Sequence, residues 1–110
     1  MYEQKDIVLI PFPFSDLSGN KQRPALIVSN NKLNKSDDRI CCLVTSNDSS
    51  NSLKINKTDQ KNGELPFQSY VKPHRLFTID KNIVKKKLCS VSDSFYNEIE
   101  SDIQDLIVQN

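Results

Sequence analysis

Short apolar runs separated by polar connections make up most of the chain. Four clear runs and a weaker one are typical of β-strands, since they are rich in β-branched residues and bounded by turn-forming ones; they cover residues 6–10, 24–29, 39–45, 86–91 and, more weakly at a sheet edge, 52–55. The runs at 24–29 and 39–45 are almost continuously apolar, which predicts strands buried on both faces.

Residues 69–79 leave two interpretations open. Ser69 to Val71 and Leu76 to Ile79 flank a polar stretch with Pro73 at its centre. Because proline removes a donor from the ladder of hydrogen bonds, the pattern predicts either two short strands or one strand broken by a bulge at the proline.

One helix is predicted at the end of the chain. Ser92 is a suitable N-cap, and Asp93 is favourable in the first turn. The apolar residues that follow recur at helical spacing and form one stripe; they are Phe95, Ile99, Ile103, Leu106 and Ile107.

The polar segments complete the outline. Residues 14–22, 30–38 and 57–64 are predicted as loops or turns, the last of them mobile, and residues 81–84 as a single helical turn. About six strands followed by a helix predict a mostly β protein, a small and mainly antiparallel barrel with a C-terminal helix, formed by one domain over residues 1–110.

Composition narrows the class of protein. The chain has 110 residues, 36% hydrophobic and 26% charged, which is a globular balance. No apolar run approaches the ~20 residues of a membrane helix, and Glu3 and Asp6 stand where a signal peptide needs cations and then apolar residues. We therefore expect a cytoplasmic protein without contact with a membrane.

Cysteine and histidine offer little for a metal site. The three cysteines form no C-x-x-C pair, and a single histidine cannot complete a Cys/His zinc set. We expect three buried thiols in a reducing compartment, and neither a metal nor a cofactor.

Charge is distributed unevenly along the chain. Residues 93–110 hold five acidic residues and no basic one, whereas residues 1–92 hold 15 basic and nine acidic residues. A basic body attracts phosphates, and the acidic terminal segment either stands apart from that surface or is simply a solvated helix face.

Two stretches go beyond generic patterning. Residues 6–30 read DIVLIPFPFSDLSGNKQRPALIVSN, and residues 43–47 read LVTSN, with TID following at 78–80. This combination resembles the MazF/PemK family of toxin endoribonucleases from type II toxin–antitoxin systems. The resemblance implies a small SH3-like antiparallel barrel with a C-terminal helix, usually a homodimer. It also implies metal-independent, sequence-specific cleavage of single-stranded RNA, often mRNA, restrained by a cognate antitoxin.

Two residues match the positions that are catalytic in this family. Cleavage of RNA by its own 2′-OH needs proton transfer and donors that hold the charge of the transition state. Arg23 meets this need because its planar guanidinium grips a phosphate, although a surface salt bridge with Asp16 is the alternative. Thr45 ends the third strand and can donate from its hydroxyl, or else it satisfies only nearby backbone groups. Leu43 stands where many relatives have proline.

His74 is the third catalytic candidate. The family often places a charged residue in this segment, and histidine titrates near neutrality, so His74 is predicted to share proton transfer with Arg23 and Thr45 or to be merely an exposed loop residue. Several further residues are expected to bind RNA, by charge, hydrogen bonding or stacking; they are Phe14, Lys21, Gln22, Ser46, Lys72 and Arg75. Phe67 is an alternative stacking face, and the lysines at 85–87 are interpreted as a solvated turn.

A second class of function stays open. Small barrels also act as non-catalytic modules that bind nucleic acid or a protein target such as gyrase, and a fold does not fix a function. The presence of both Arg23 and Thr45 favours the enzyme.

Overall fold

The first strand of the chain lies between the second and the last, and this pairing defines the architecture. The computed structural model describes residues 1–11 and 21–109, in which seven strands form one antiparallel sheet in the order β4-β6-β3-β2-β1-β7-β5. The elements are β1 Asp6–Pro11, β2 Gln22–Ile27, α1 Asn31–Asn34, β3 Asp38–Thr45, β4 Leu53–Ile55, β5 Gln60–Lys61, β6 Ser69–Asp80, β7 Lys86–Val91 and α2 Asp93–Ile107.

The sheet curls into a nearly closed barrel, and its two edge strands are β4 and β5. Every strand pair is antiparallel. The predicted architecture, a mostly β antiparallel barrel with a C-terminal helix, is therefore confirmed. The seventh strand, which the sequence pattern does not indicate, is the two-residue β5.

Both faces of the central strands are buried, as the continuous apolar runs predict. The helix-side cluster joins strand residues to the first half of α2; its members include Ile7, Leu26, Val44, Val71, Phe95, Tyr96 and Ile99. The opposite-face cluster consists of Val8, Ile10, Ala25, Ile27, Cys41 and Ile79. Burial of each large aliphatic side chain contributes about 1.5–3 kcal/mol, so the two clusters together hold the sheet in its curved form.

The terminal helix begins where its cap predicts. The Ser92 hydroxyl accepts a hydrogen bond from the Phe95 backbone N–H at 3.2 Å. Only the first half of the predicted apolar stripe is buried, because Leu106 and Ile107 extend past the barrel and are 56% and 70% exposed. Within the described residues, no helix is long and apolar enough to cross a membrane.

Two predicted loops contain regular structure. Residues 31–34 form the one-turn helix α1, because the Asn30 side chain accepts the Lys32 N–H at 3.0 Å and caps it. Residues 57–59 form a 3₁₀ turn, and Gln60 and Lys61 then pair with β7 as β5. The sequence pattern does not indicate β5 because its two residues are polar, as suits an edge strand with one side facing water.

Strand β6 is a single strand of 12 residues interrupted by a bulge. Cys42 of β3 is paired with Leu76, whereas the next residue, Leu43, is paired with Lys72. The residues 73–75 are therefore looped out of the ladder. Of the two interpretations of this segment, one strand with a bulge at Pro73 is confirmed.

An ion pair between exposed Lys87 and buried Asp6 joins β7 to β1. Asp6 is 2% exposed and lies 3.1 Å from the Lys87 ammonium. Its carboxylate also accepts hydrogen bonds from the Ser90 hydroxyl at 3.0 Å and from the Glu3 backbone N–H at 3.0 Å. Removing one partner of such a pair leaves an uncompensated charge in the interior, so β7 is held in register next to β1.

Gly63 makes the closest backbone contact between the β5–β6 connection and β7. Its φ is +140°, and a Cβ at this position would lie 2.3 Å from the Leu88 carbonyl oxygen. Only glycine satisfies both the conformation and the space.

We expect Gly63→Ala to destabilise the protein by about 1–3 kcal/mol, because it imposes backbone strain together with a clash against a carbonyl. Urea denaturation measures the loss. The matched control is Asn62→Gly, since Asn62 has φ 59° and glycine tolerates that conformation. An unfolding midpoint for Gly63→Ala equal to that of the wild type would show that the connection does not pack on β7.

The three thiols are buried, as expected, and burial raises the pKa of Cys41 and Cys42 to about 12 and that of Cys89 to about 11. The thiolate is the nucleophile, so we expect no alkylation by iodoacetamide at mildly alkaline pH in the folded protein and three adducts in concentrated urea. Mass spectrometry counts the adducts. Labelling of a native thiol at the rate of a free one would contradict the packing.

The same shifts predict the effect of alkaline pH on stability. Thiols of the unfolded chain ionise from about pH 8.5, whereas the folded thiols remain neutral to higher pH. The unfolded state therefore loses protons first, and the free energy of unfolding is expected to fall as the pH rises above about 9. Urea titrations at increasing pH measure this decline, which should be smaller in a Cys41→Ala variant than in the wild type.

Candidate active site

The pairing of β2 with β3 places Arg23 relative to Thr45. Ala25 of β2 is paired with Leu43 of β3 in the antiparallel ladder. This pair ends the β2–β3 ladder, and Arg23 and Thr45 each lie two residues beyond it on their own strand. The first two predicted catalytic residues therefore lie at the same end of the β2–β3 pair.

Arg23 and Thr45 line a common surface groove with a volume of about 380 Å³. Strands β1, β2, β3, β6 and β7 contribute to it, together with the 65–67 segment that precedes β6. Its polar and charged lining consists of Gln22, Arg23, Thr45, Ser46, Ser69 and Lys86. A cationic groove open to solvent, with a guanidinium and a hydroxyl side by side, is suited to hold a phosphodiester.

The hydrogen bonding of Thr45 leaves its proton available. Its Oγ1 accepts the Asn47 backbone N–H at 3.2 Å, and among the described residues it donates to no protein group. A hydroxyl both accepts and donates, so Thr45 can still donate to a phosphate oxygen. The interpretation as a strand-end residue that satisfies the backbone and the interpretation as a phosphate contact are therefore compatible.

Arg23 is half-buried and lines the groove. In the part of the chain that the structure describes, it takes part in none of the ion pairs. The alternative partner considered from the sequence, Asp16, lies outside the described residues. A guanidinium in a groove open to solvent can bind an anion with its planar set of donors.

Two of the other predicted RNA contacts lie in the groove itself. Gln22 and Ser46 line the groove beside Arg23 and Thr45. Lys21 is exposed immediately before β2. Phe14 lies outside the described residues.

The segment with His74 lies apart from the groove lining. Lys72 is paired with Leu43, two residues before Thr45, so it shares a face with Thr45 on the neighbouring strand. His74 and Arg75 are exposed in the looped-out part of β6 and do not line the groove. The described fold thus brings together Arg23 and Thr45, and leaves His74 on the bulge beside Lys72.

Among the residues that line the groove, Lys86, Leu65 and Pro66 were not identified from the sequence. Lys86 was interpreted as part of a solvated turn, but it begins β7, is paired with Leu9 and lines the groove. Leu65 and Pro66 line it as well, next to Phe67, which the sequence suggested as an alternative stacking face. The available signal was the apolar triplet LPF after a polar segment, and the alternation of Lys86 with Leu88 in a strand.

Acidic, histidine and cysteine side chains are dispersed. Nowhere in residues 1–11 and 21–109 do three or more of them come together in a group that could hold a metal ion.

Comparison with known families identifies the chain. A model of the "PemK-like, MazF-like toxin of type II toxin-antitoxin system" matches residues 3–107. The chain is thus a toxin of the type II toxin–antitoxin class, and it is a member of this PemK-like, MazF-like family. No curated protein is matched by the sequence itself.

Solved structures share the fold at low sequence identity. An endoribonuclease from a mycobacterial species, in complex with its cognate antitoxin, has a TM-score of 0.78 and 20% identity over 100% of both chains. MazF in a MazE–MazF complex from Deinococcus radiodurans has a TM-score of 0.75 and 17% identity, covering 99% of this chain and 97% of that one. The toxin MazF-mt6 of Mycobacterium tuberculosis has 0.71 and 14%, with 91% and 93% covered.

Proposed function

We propose that this toxin is a metal-independent, sequence-specific endoribonuclease that cleaves single-stranded RNA, with mRNA as its target. The observation that carries the proposal is that Arg23 and Thr45 line one groove. Membership of the toxin family supports it, as do endoribonucleases of the same fold.

The reaction proposed is attack of the ribose 2′-oxygen on the adjacent phosphorus. The P–O5′ bond breaks, the 2′-proton is removed and a proton passes to the leaving 5′-oxygen, so a 2′,3′-cyclic phosphate and a 5′-hydroxyl result. Negative charge grows on the non-bridging oxygens in the transition state. Arg23 holds that charge with a bidentate pair of N–H donors, and Thr45 adds a neutral donor.

Proton transfer requires a further group, because the high pKa typical of arginine makes it a poor acid unless it protonates a transient alkoxide. We propose His74 for this role, since imidazole nitrogens can both accept and donate a proton. From its place on the β6 bulge, His74 must reach the ribose along the sheet face that carries Lys72. RNA is proposed to follow this face and the groove, with contacts from Lys21, Gln22, Ser46, Lys72 and Arg75, and from Phe14.

The partners proposed are a cognate antitoxin and a second copy of the chain. Relatives from a mycobacterial species and from D. radiodurans form complexes of toxin with antitoxin, which supports the first. An acidic antitoxin segment would compete with RNA for the basic groove. We further propose that the chain acts as a single domain in the cytoplasm.

We expect Arg23→Ala to lower kcat for cleavage of single-stranded RNA by about 10²–10³, since it removes a charged donor from the transition state. Thr45→Val should lower it by roughly tenfold to a hundredfold, the effect of losing a hydrogen bond to a charged group. Arg23→Lys keeps the positive charge but loses the planar pair of N–H donors, so its kcat should stay well below that of the wild type. Rates are measured on labelled RNA in EDTA.

Lys54→Ala is the matched control, because Lys54 is an exposed cation on β4 outside the groove. It should cleave at the wild-type rate. Intact RNA with measurable binding by the wild type would contradict the enzyme and favour the non-catalytic binding module. Cleavage that persists in Arg23→Ala would remove Arg23 from the mechanism.

His74→Ala should lower the cleavage rate across roughly pH 5–9, because it removes the group proposed to transfer the proton. The rate at several pH values is the measurement, and Arg75→Gln on the same bulge separates loss of charge from loss of the imidazole. A near-wild-type rate across this range would exclude His74 from proton transfer.

A further inference from the structure

Phe67 is an unusual residue on the groove. Its side chain is 74% exposed, whereas Leu65, two residues before it, is buried in the helix-side cluster. A large aromatic ring exposed on a cationic groove offers a face on which a base of a bound strand can stack.

The backbone under Phe67 is held at three points. Gly63 packs against the carbonyl of Leu88 in β7, and the Leu65 N–H donates to the Gln60 side chain at 2.8 Å. The Ser69 hydroxyl donates to the carbonyl of Phe67 itself at 2.8 Å. The ring is therefore presented from a fixed backbone, which lowers the entropy cost of stacking on it.

The surroundings of the ring match one nucleotide. Leu9, Pro24 and Pro66 give the groove an apolar lining beside Phe67, and Lys86 and Arg23 supply the cations. Single-stranded RNA presents just this alternation, an unstacked base followed by a phosphate. Proteins that bind single strands meet it with aromatic faces and basic grooves.

Building on the proposed nuclease function, we propose that Phe67 and Lys86 form a subsite for the nucleotide beside the scissile phosphate. The ring of Phe67 stacks on the base, and the ammonium of Lys86 binds the phosphate of that nucleotide. This subsite adds the affinity and the local placement of the RNA strand, while Arg23 and Thr45 act on the reacting phosphorus.

Steady-state kinetics tests the stacking. Phe67→Ala should raise KM for single-stranded RNA about tenfold, within the range measured for stacking on an aromatic side chain, and leave kcat within about twofold. Phe67→Trp should restore KM and Phe67→Leu should not. Ile83→Ala is the matched control, since Ile83 is an exposed apolar residue outside the groove.

Binding without cleavage tests the phosphate contact. A single-stranded deoxyoligonucleotide lacks the 2′-OH and stays intact, so fluorescence anisotropy gives its affinity. Lys86→Gln should weaken binding and reduce the slope of log K against log salt by about 0.7, the value for one phosphate contact on a single strand. Lys85→Gln, an exposed neighbour outside the groove, should leave the slope unchanged.

The two experiments separate failure of the subsite from failure of the nuclease. RNA cleavage with an unchanged KM in Phe67→Ala would overturn the subsite and leave the nuclease standing. Binding that depends on Phe67 and Lys86 without cleavage of RNA would overturn the nuclease and keep the subsite. If both variants bound nucleic acid normally and lost affinity for the antitoxin alone, this surface would be a protein docking site and the proposal would be wrong.

Discussion

The alignment of β2 against β3 is the constraint on which the groove depends. In a sheet, a slip by one residue turns every side chain to the other face, and such a slip would separate Arg23 from Thr45. Hydrophobicity alone does not prevent it, because both faces of these strands are apolar and buried. The far end of the pair supplies the missing restraint: Val28 N–H donates to the Ile40 carbonyl at 2.9 Å, and Ile40 N–H donates to the Ser29 hydroxyl at 3.1 Å.

The second requirement for the groove is the connection that closes the barrel, because this connection forms one of the groove's walls. The β5–β6 connection passes from one edge of the sheet towards the other, and its 65–67 segment lines the groove beside Arg23. This connection is held by Gly63 on β7 and by Leu65 in the core. The groove is therefore rigid where the chain crosses it, although the crossing is made by a polar segment with little regular structure.

Sequence reasoning reached the architecture because strong local signals agreed with it. The apolar runs, the Ser92 cap and the helical stripe each point to the element that forms. It missed β5 and α1, since two paired residues and one capped turn leave no periodic pattern. At the groove, residue type and family pattern single out the Arg-Pro junction and the strand-end Thr45, and these residues do line it.

Other parts of the site depend on long-range geometry. Lys86 lines the groove because it pairs with Leu9, which lies 77 positions earlier in the sequence. A run of three lysines does not reveal such a long-range pairing. The separation of His74 from the groove comes from the bulge opposite Leu43, and a bulge sets direction without changing composition. Pro73 likewise indicates that β6 contains a bulge, but the sequence does not show that the bulge covers residues 73–75.

The pairing of β1 with β7 bears on when this toxin acquires its binding surface during synthesis. A ribosome releases β2 and β3 early, so their hairpin can form while the rest of the chain is still being made. Leu9 meets Lys86 only after β7 has emerged, later than the hairpin of β2 and β3. A nascent chain that stops before β7 thus carries the guanidinium and the hydroxyl without the β7 wall of the groove.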